Sequence, residues 1–301
     1  MLSPTYLNEQ DSWINIDKDQ LELAPACLGE FGLNEEFIRY VLDTSEQARM
    51  EYDEDREVFV MIYHVANRMK HAHHYETVPM IVLVRQHQVI TISQTENAYI
   101  LQYLFHELEL ESTVSLWQFV FLLCDYASAE YFPLIEEISV TRNMLNRSLR
   151  KKTTRKNLVV LSDMSIGMVY FVTASKQNML VLEQIRLHKV FRTFSEMEKE
   201  QFEDALIEAK QLTEVAQLNA AILNRLSHTF NRILENNLNE IMKLMAILLV
   251  ILDVPTVLID FFGINLALPT VDTTWISWVF MGLAISSGIV VTNILRYWIG
   301  K

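Results

Sequence analysis

Two carboxylates stand inside an apolar stretch near the C-terminus. Residues 244–262 are apolar except for Asp253, Thr256 and Asp260, and residues 275–295 carry no charge. Each stretch has close to the roughly 20 residues that a helix needs to cross the core of a bilayer. Because a carboxylate at that depth costs about 2.5–3.5 kcal/mol, each should face water, an ion or a partner helix. A plain membrane anchor would explain the length of the stretches but not the two carboxylates.

Asp253 and Asp260 are seven residues apart, so they point to the same side of a helix. Steps of three and four residues place them on one stripe, which we predict lines a pore: Asn239, Met242, Ala246, Leu249, Asp253, Thr256 and Asp260. One copy cannot enclose a channel, but several copies around an axis would present rings of amide, carboxylate and hydroxyl oxygens. Oxygen ligands suit Mg²⁺ and similar divalent ions better than soft metals.

Basic residues predict the topology of these two stretches. Lys243 precedes the first stretch, Arg296 and Lys301 follow the second, and the linker 263–274 contains neither Lys nor Arg. In membrane proteins the cytoplasmic flanks carry the excess of basic residues. We therefore expect a multi-pass protein of the cytoplasmic membrane, with both termini in the cytoplasm and the linker outside.

The rest of the chain predicts an α/β domain and a very long helix. Residues 1–45 look irregular with short helices; strands are expected at 58–63, 79–84 and 88–93, and helices at 97–110, 114–151 and 154–187. From 195 to 262 only Pro255 interrupts the helical pattern. The expected domains are a cytoplasmic α/β domain at 1–194, a cytoplasmic stalk helix at 195–243, a pore-lining transmembrane helix at 244–262, an extracytoplasmic loop at 263–274, a second transmembrane helix at 275–295 and a cytoplasmic tail at 296–301.

The composition argues against several classes of function. A net charge of −13 and a pI near 5.1 argue against nucleic acid as a partner. Two cysteines do not make a disulfide framework, and because the N-terminal residues are acidic we expect no signal peptide. No glycine-rich nucleotide loop, nucleophile elbow or paired acid–base site stands out in the sequence, so we do not expect an enzyme.

Two further patterns leave alternatives open. A heptad seam on the long helix either joins copies of the chain or packs on other helices of the same subunit. Its members are Ala209, Leu212, Ala216, Asn219, Leu223, Leu226, Phe230, Ile233 and Asn237. The cluster of His64, His71, His73 and His74 either binds Zn²⁺ or another transition metal, or lies in a solvated turn, and we favour the turn.

Several segments together resemble the CorA family of divalent-cation channels. They are residues 51–54, 131–136, 155–158 and 239–243, and the triplet Gly263, Ile264 and Asn265, which follows Phe262. The triplet resembles the Gly-Met-Asn signature that ends the first membrane helix of the family. Its Gly-Ile-Asn form is similar to the form of the signature in the ZntB-like branch, which is associated with zinc. The resemblance extends over nearly the full chain.

The resemblance implies a fold class and a set of site residues. The family is a homopentamer with a funnel-shaped cytoplasmic domain, so we expect an α/β cytoplasmic domain, a very long stalk and pore helix, and a second transmembrane helix. By resemblance Gly263, Ile264 and Asn265 form the entrance, where a cation is held with its water shell because Mg²⁺ dehydrates reluctantly. Asp204 matches a family position that binds regulatory Mg²⁺ between subunits, although the acidic residues around it also fit a solvated helix start.

The expected function is Mg²⁺ uptake across the cytoplasmic membrane, driven by the electrochemical gradient and inhibited by cytoplasmic Mg²⁺. The expected partners are membrane lipid, other copies of the chain and divalent cations, among them Zn²⁺ as well as Mg²⁺. One alternative is a ZntB-like Zn²⁺ transporter, with or without proton coupling. Another is a membrane-anchored ion sensor. Asp253 stands where the family has an apolar gate residue, which bears on gating and selectivity.

Overall fold

The computed structural model describes residues 4–18, 47–54, 57–110, 113–151 and 154–263, and in the second apolar stretch residues 278, 281–282, 285–286, 288–290 and 293. The chain divides into two compact units, Met1–Ser227 and His228–Lys301. Ile264 and Asn265 of the signature, the rest of the linker and the tail at 296–301 lie outside the described residues. The described residues of the second apolar stretch are helical, and the complete second transmembrane helix stays a prediction.

The first unit contains a six-stranded sheet. Its strands are β1 (Thr5–Tyr6), β2 (Ser12–Asp17), β3 (Arg49–Asp53), β4 (Val58–Ala66), β5 (Thr77–Arg85) and β6 (Gln88–Ser93). The order across the sheet is β1-β2-β6-β5-β4-β3. β2 and β6 are parallel, and the other paired strands are antiparallel.

The sequence predicted β4, β5 and β6 and missed the other three strands. β1 and β2 lie in a region that we predicted to be irregular with short helices, and that prediction is wrong for them. β2 escapes detection because its parallel partner is distant in sequence, with Ser12 opposite Gln88. β3 lies at the edge of the sheet, where charged residues alternate with Met50 and Tyr52. Charge on an edge strand prevents pairing with another chain, and it hides the strand from a search for apolar runs.

Five α-helices have both ends within the described residues; they are α1 (Ala98–Leu110), α2 (Leu116–Ala129), α3 (Tyr131–Lys151), α4 (Arg155–Leu187) and α5 (Glu196–Gly263). The helix predicted at 114–151 is therefore two helices. The break falls at Glu130, and Pro133 follows in the first turn of α3, where a missing N–H costs no helical hydrogen bond. Ser115 caps α2 through a reciprocal capping box with Gln118.

Both faces of the sheet are buried. On one face Phe59, Met61 and Tyr63 of β4 form a cluster with Phe119 of α2 and Phe202 of α5. On the other face a second cluster contains Ile14, Ile16, Val58, Val60, Ile62, Ile81, Leu83, Ile90 and Ile92. Burial on both faces explains why the central strands read as continuous apolar runs rather than as alternating patterns.

Among the described residues, α4 is the one helix whose length and composition would suffice to cross a membrane. In its most apolar window 39% of the residues are buried, and the helix packs on β3, β4, β5 and α3. A core helix passes the same test of length and hydropathy. We therefore assign α4 to the core of the first unit.

Asn178 of α4 fastens this helix to the sheet. Its side chain accepts from the backbone N–H of His64 at 2.8 Å and donates to the carbonyl of His64 at 2.7 Å. β3 begins at Arg49, opposite Ile62, so it does not extend to the position beside His64. The amide of Asn178 thus replaces a missing stretch of strand with two hydrogen bonds, inside a fully buried site.

Replacing Asn178 should cost stability. Asn178→Ala removes both bonds, although the carbonyl of His64 keeps the hydroxyl of Tyr131 at 3.0 Å. Since a buried polar group without a partner costs about 1–3 kcal/mol, we expect the free energy of unfolding to fall by about 2–3 kcal/mol. Denaturant unfolding of the purified protein in detergent would measure this. Lys176 is an exposed residue near Asn178, and the control variant Lys176→Ala should change the free energy of unfolding by no more than about 0.5 kcal/mol. Equal effects of both variants would contradict the role of Asn178 in holding α4 on the sheet.

Candidate functional site

The predicted pore stripe lies on the C-terminal part of α5. The helix is continuous to Gly263, and all seven stripe residues are exposed. At 100° per residue they fall within an arc of about 100°. Leu244, Leu248 and Leu252, which lie off the stripe, are exposed as well. Exposure therefore does not distinguish the stripe residues from their neighbours on this helix. What the seven residues share is one side of an unbroken helix.

Pro255 and Thr256 modify the backbone in the middle of the stripe. Pro255 has no N–H to donate to the carbonyl of Ile251, four residues earlier. The hydroxyl of Thr256 donates to the carbonyl of Leu252 at 2.7 Å. Because its hydrogen is used inside the helix, the oxygen of Thr256 keeps its lone pairs for a donor or a cation outside it.

Asp253 and Asp260 provide the formal charge of the stripe. Both side chains are exposed, and neither has a hydrogen bond or ion pair within the described part of the chain. Their seven-residue spacing separates them by about 10 Å along the helix axis. One ion therefore cannot contact both carboxylates of the same chain directly.

A second group of carboxylates lies near the start of α5. Asp204 is exposed, and it raises the pKa of Asp125 on α2 together with burial, which is the larger cause. Burial, assisted by Asp125, also raises the pKa of Glu208, one turn after Asp204. We call Asp125, Asp204 and Glu208 the α2–α5 carboxylate group. Each shift means that ionising the carboxyl of Asp125 or Glu208 is less favourable than it would be in water.

The α2–α5 carboxylate group is not a complete metal site within one chain. Among the described residues, no three side chains of His, Cys, Asp or Glu converge closely enough to hold an ion. Sequence reasoning predicted Asp204 but missed Asp125. The available signal was that Asp125 is the one charged residue in α2, which is otherwise mostly apolar.

His71, His73 and His74 lie in the turn that we favoured, whereas His64 lies on β4. His71 and His74 form an isolated antiparallel bridge with two 3.0 Å hydrogen bonds, and Ala72 and His73 between them have φ angles of 47° and 76°. His71 Nδ1 and His74 Nε2 both contact the same oxygen of Glu76, at 3.2 and 3.1 Å. The alternative Zn²⁺ site is not formed by the described residues.

The heptad seam of α5 packs largely within the chain. Leu212, Ala216 and Leu223 are buried. Asn219, which interrupts the seam, accepts hydrogen bonds from Ser139 Oγ at 2.8 Å and Arg142 Nη1 at 2.9 Å, both on α3. This polar position therefore fixes α5 against α3 of the same chain. Of the two alternatives, the structure supports intrasubunit packing for this part of the seam.

Comparisons with known proteins agree with this architecture. A family model described as "CorA-like Mg2+ transporter protein" matches residues 8–296. No curated protein sequence matches the chain. The solved CorA magnesium transporter from Methanocaldococcus jannaschii matches with a TM-score of 0.79 and 17% identity, over 97% of this chain and 92% of its own.

Two other solved structures have the same fold. The full-length CmaX protein matches with a TM-score of 0.71 and 16% identity, over 97% of this chain and 90% of its own. The ZntB cytoplasmic domain from Vibrio parahaemolyticus RIMD 2210633 matches with a TM-score of 0.59 and 11% identity, over 78% of this chain and 91% of its own. At these identities the similarity establishes the fold and leaves the transported ion open.

The carboxylate group near the start of α5 leads to a prediction on stability. The pKa of Asp125 is raised in the folded chain, so ionised Asp125 destabilises the fold, and this cost disappears below the ordinary pKa of aspartate. Asp125→Asn should therefore raise the thermal midpoint at pH 7 without divalent cations, by up to about 2–4 °C. The gain should vanish as the pH falls.

Thermal unfolding of the detergent-solubilised protein at several pH values checks this. Glu136→Gln removes a carboxylate from an exposed position on α3 and serves as the matched control. Its thermal midpoint should change little at any of these pH values. An equal gain from Asp125→Asn in acid and at neutral pH would show that the charge is not the cause.

Proposed function

This chain belongs to the family of CorA-like Mg²⁺ transporter proteins, and we propose that it forms a homopentameric channel for divalent cations, with Mg²⁺ as the principal ion. The observation that carries the proposal is the unbroken α5, which bears Asp253, Thr256 and Asp260 on one side and ends at Gly263. Members of this family are divalent-cation transporters. Beyond membership of this family, we propose the pentameric assembly, the preference for Mg²⁺ and the inward direction of flux.

The chemistry of the stripe supports passage of a strongly hydrated ion. In a pentamer the carboxylates of Asp253 and Asp260 would form two rings about 10 Å apart, with a ring of Thr256 hydroxyls between them. Mg²⁺ keeps much of its water shell, and carboxylate and hydroxyl oxygens accept hydrogen bonds from that water. A divalent ion gains about 4.6 kcal/mol per 100 mV of membrane potential, so inward flux requires no other energy source.

The rest of the proposed architecture follows the domains predicted from the sequence. Residues 1–194 and 195–243 would lie in the cytoplasm, 244–262 and 275–295 would span the membrane, and 296–301 would return to the cytoplasm. The loop 263–274 would place Gly263, Ile264 and Asn265 at the outer mouth. Asn265 would contact the water shell of an arriving cation through its amide oxygen.

We also propose that cytoplasmic Mg²⁺ binds at the α2–α5 carboxylate group and inhibits flux. The raised pKa values of Asp125 and Glu208 show that negative charge is disfavoured at this place, which a bound cation would relieve. The described residues of one chain do not complete the ligand set of such an ion. A carboxylate from a neighbouring subunit would complete it, so that the ion bridges two subunits and holds the closed arrangement. The exposed position of Asp204 makes it the residue of the three best suited to reach a neighbour.

A ZntB-like Zn²⁺ transporter is the second candidate. It is supported by Ile264, which stands where the Gly-Met-Asn signature has Met, and by the fold similarity to the ZntB cytoplasmic domain. The oxygen ligands of the stripe favour Mg²⁺, because Zn²⁺ in proteins prefers nitrogen and sulfur ligands as well as carboxylate. A membrane-anchored ion sensor is less well supported, since it would not need carboxylates in an apolar stretch.

Ion flux into liposomes tests the function directly. The purified protein should admit Mg²⁺ faster than Zn²⁺ when the two are supplied side by side, and Asn265→Ala should abolish both fluxes while the oligomer remains intact. Ser286→Ala, a change in the second apolar stretch, is the control and should retain flux. Faster Zn²⁺ flux would favour the ZntB-like alternative, and wild-type flux in Asn265→Ala would remove that residue from the entrance.

Cysteine accessibility tests which side of α5 faces the pore. In a chain with Cys27 and Cys124 replaced by alanine, Asp253→Cys and Asp260→Cys should react with a small water-soluble thiol reagent added to open channels. Ile251→Cys and Leu258→Cys, on the opposite side of the helix, should react much more slowly. Protection of positions 253 and 260 would contradict the pore-lining assignment even if the protein conducts Mg²⁺.

A further inference from the structure

A cavity of about 740 Å³ opens in the first unit between α3, the N-terminal half of α4 and the turn at residues 70–75. Ile138, Val159, Val160 and Met164 give it apolar walls. Its volume lies in the range of sites that bind small organic molecules. The pore stripe and the α2–α5 carboxylate group contribute no residue to it.

A close backbone contact holds the turn against α4 at one side of the cavity. A Cβ at Gly167 would lie only 3.2 Å from the backbone nitrogen of Tyr75 and 3.4 Å from its carbonyl oxygen. The ring of Tyr75 stacks on Phe171, one turn further along α4. The absence of a side chain at Gly167 therefore lets the turn pack directly on the helix.

Some polar groups of the cavity already have partners. Glu137 accepts from Lys70 at 2.7 Å and from the hydroxyl of Tyr75 at 2.6 Å, and these bonds hold its pKa below the ordinary value. His74 contacts the carbonyl of Ala72 through Nδ1 and Glu76 through Nε2. These contacts pair the charges of Lys70 and Glu137 and give His74 two polar partners.

Arg155 and Lys156 differ from those groups. Both line the cavity, and neither has an ion pair or side-chain hydrogen bond within the described residues. They are the first two residues of α4, which Thr154 caps through the N–H of Asn157. Cations are unfavourable at the positive end of a helix dipole, whereas an anion is stabilised there. In a chain of net charge −13, two unpaired cations at this place favour an anionic ligand.

Asp163 is the one lining carboxylate without a partner among the described residues. It follows Lys156 by seven residues, so it lies about 10 Å further along the helix axis. At that distance it leaves the N-terminal end of the cavity basic. It also disfavours a second anionic group at its own end and can accept a hydrogen bond from a ligand hydroxyl or ammonium group.

We propose that this cavity binds a phosphate ester with an apolar group. The phosphate lies between Arg155 and Lys156 at the start of α4, where both side chains and the free first-turn N–H groups donate to it. The apolar group covers the half-exposed Val159 and contacts the nearly buried Ile138 and Met164 behind it. Inorganic phosphate alone would leave these walls and most of the volume uncovered, which is why the ligand is an ester. The same chemistry occurs in a phospholipid headgroup and in a soluble phosphate ester.

Calorimetric titration of the full-length protein in detergent tests the proposal, with two probes. Phenyl phosphate represents the soluble ester, and short-chain dihexanoyl phosphatidylglycerol represents the lipid. Saturable binding of phenyl phosphate alone assigns the site to a soluble ester. Saturable binding of phosphatidylglycerol, in competition with phenyl phosphate, assigns it to the lipid headgroup. Saturable binding of neither probe overturns the proposal.

Variants show whether the binding belongs to this cavity. The double variant Arg155→Gln/Lys156→Gln should weaken the affinity by about tenfold or more, since it removes two charge-assisted contacts. Val159→Glu adds a carboxylate on the half-exposed wall without disturbing the core and should weaken binding similarly. Arg147→Gln, on the exposed surface of α3, is the matched control and should leave the affinity unchanged. Unchanged affinity in both cavity variants would place the binding elsewhere and overturn the assignment, whatever ion the channel carries.

Discussion

The two parts of α5 require different surroundings, and this requirement governs the rest of the protein. Phe202, Leu206 and Leu212 are buried in the first unit, whereas apolar side chains from Leu238 onward, including Leu244 and others to residue 257, are exposed. Leaving apolar surface in water forfeits roughly 25 cal/mol per Å². An exposed apolar surface of this extent marks contact with lipid or protein. The C-terminal part of the helix therefore requires lipid or another protein to cover it.

The same helix carries carboxylates in both surroundings. Asp204 lies beside Asp125 near its start, and Asp253 and Asp260 stand in its apolar part. In each place the described residues provide no cation to balance the charge. A divalent ion can balance the charge at both places, so in the proposed channel α5 would carry both the carboxylates of the regulatory site and those of the pore.

The fold similarity and the site chemistry answer different questions. The match to the CorA magnesium transporter covers 97% of the chain at 17% identity, so the fold persists while most side chains differ. Ion choice depends on a few oxygen atoms and their spacing rather than on the fold. In the proposed channel that choice would rest on Asp253, Thr256 and Ile264. The cavity beside Arg155 and Lys156 is likewise a property of individual side chains.

The sequence by itself determined the features that depend on local periodicity. The long helix, the central strands β4 to β6 and the shared face of Asp253 and Asp260 all follow from spacings of a few residues, because helices and strands repeat over such distances. Tertiary structure decided what depends on distant partners: the parallel pairing of β2 with β6, the approach of Asp125 to Asp204, and the attachment of Asn219 to α3. No local pattern encodes these contacts, because they arise from chain segments that only folding brings together.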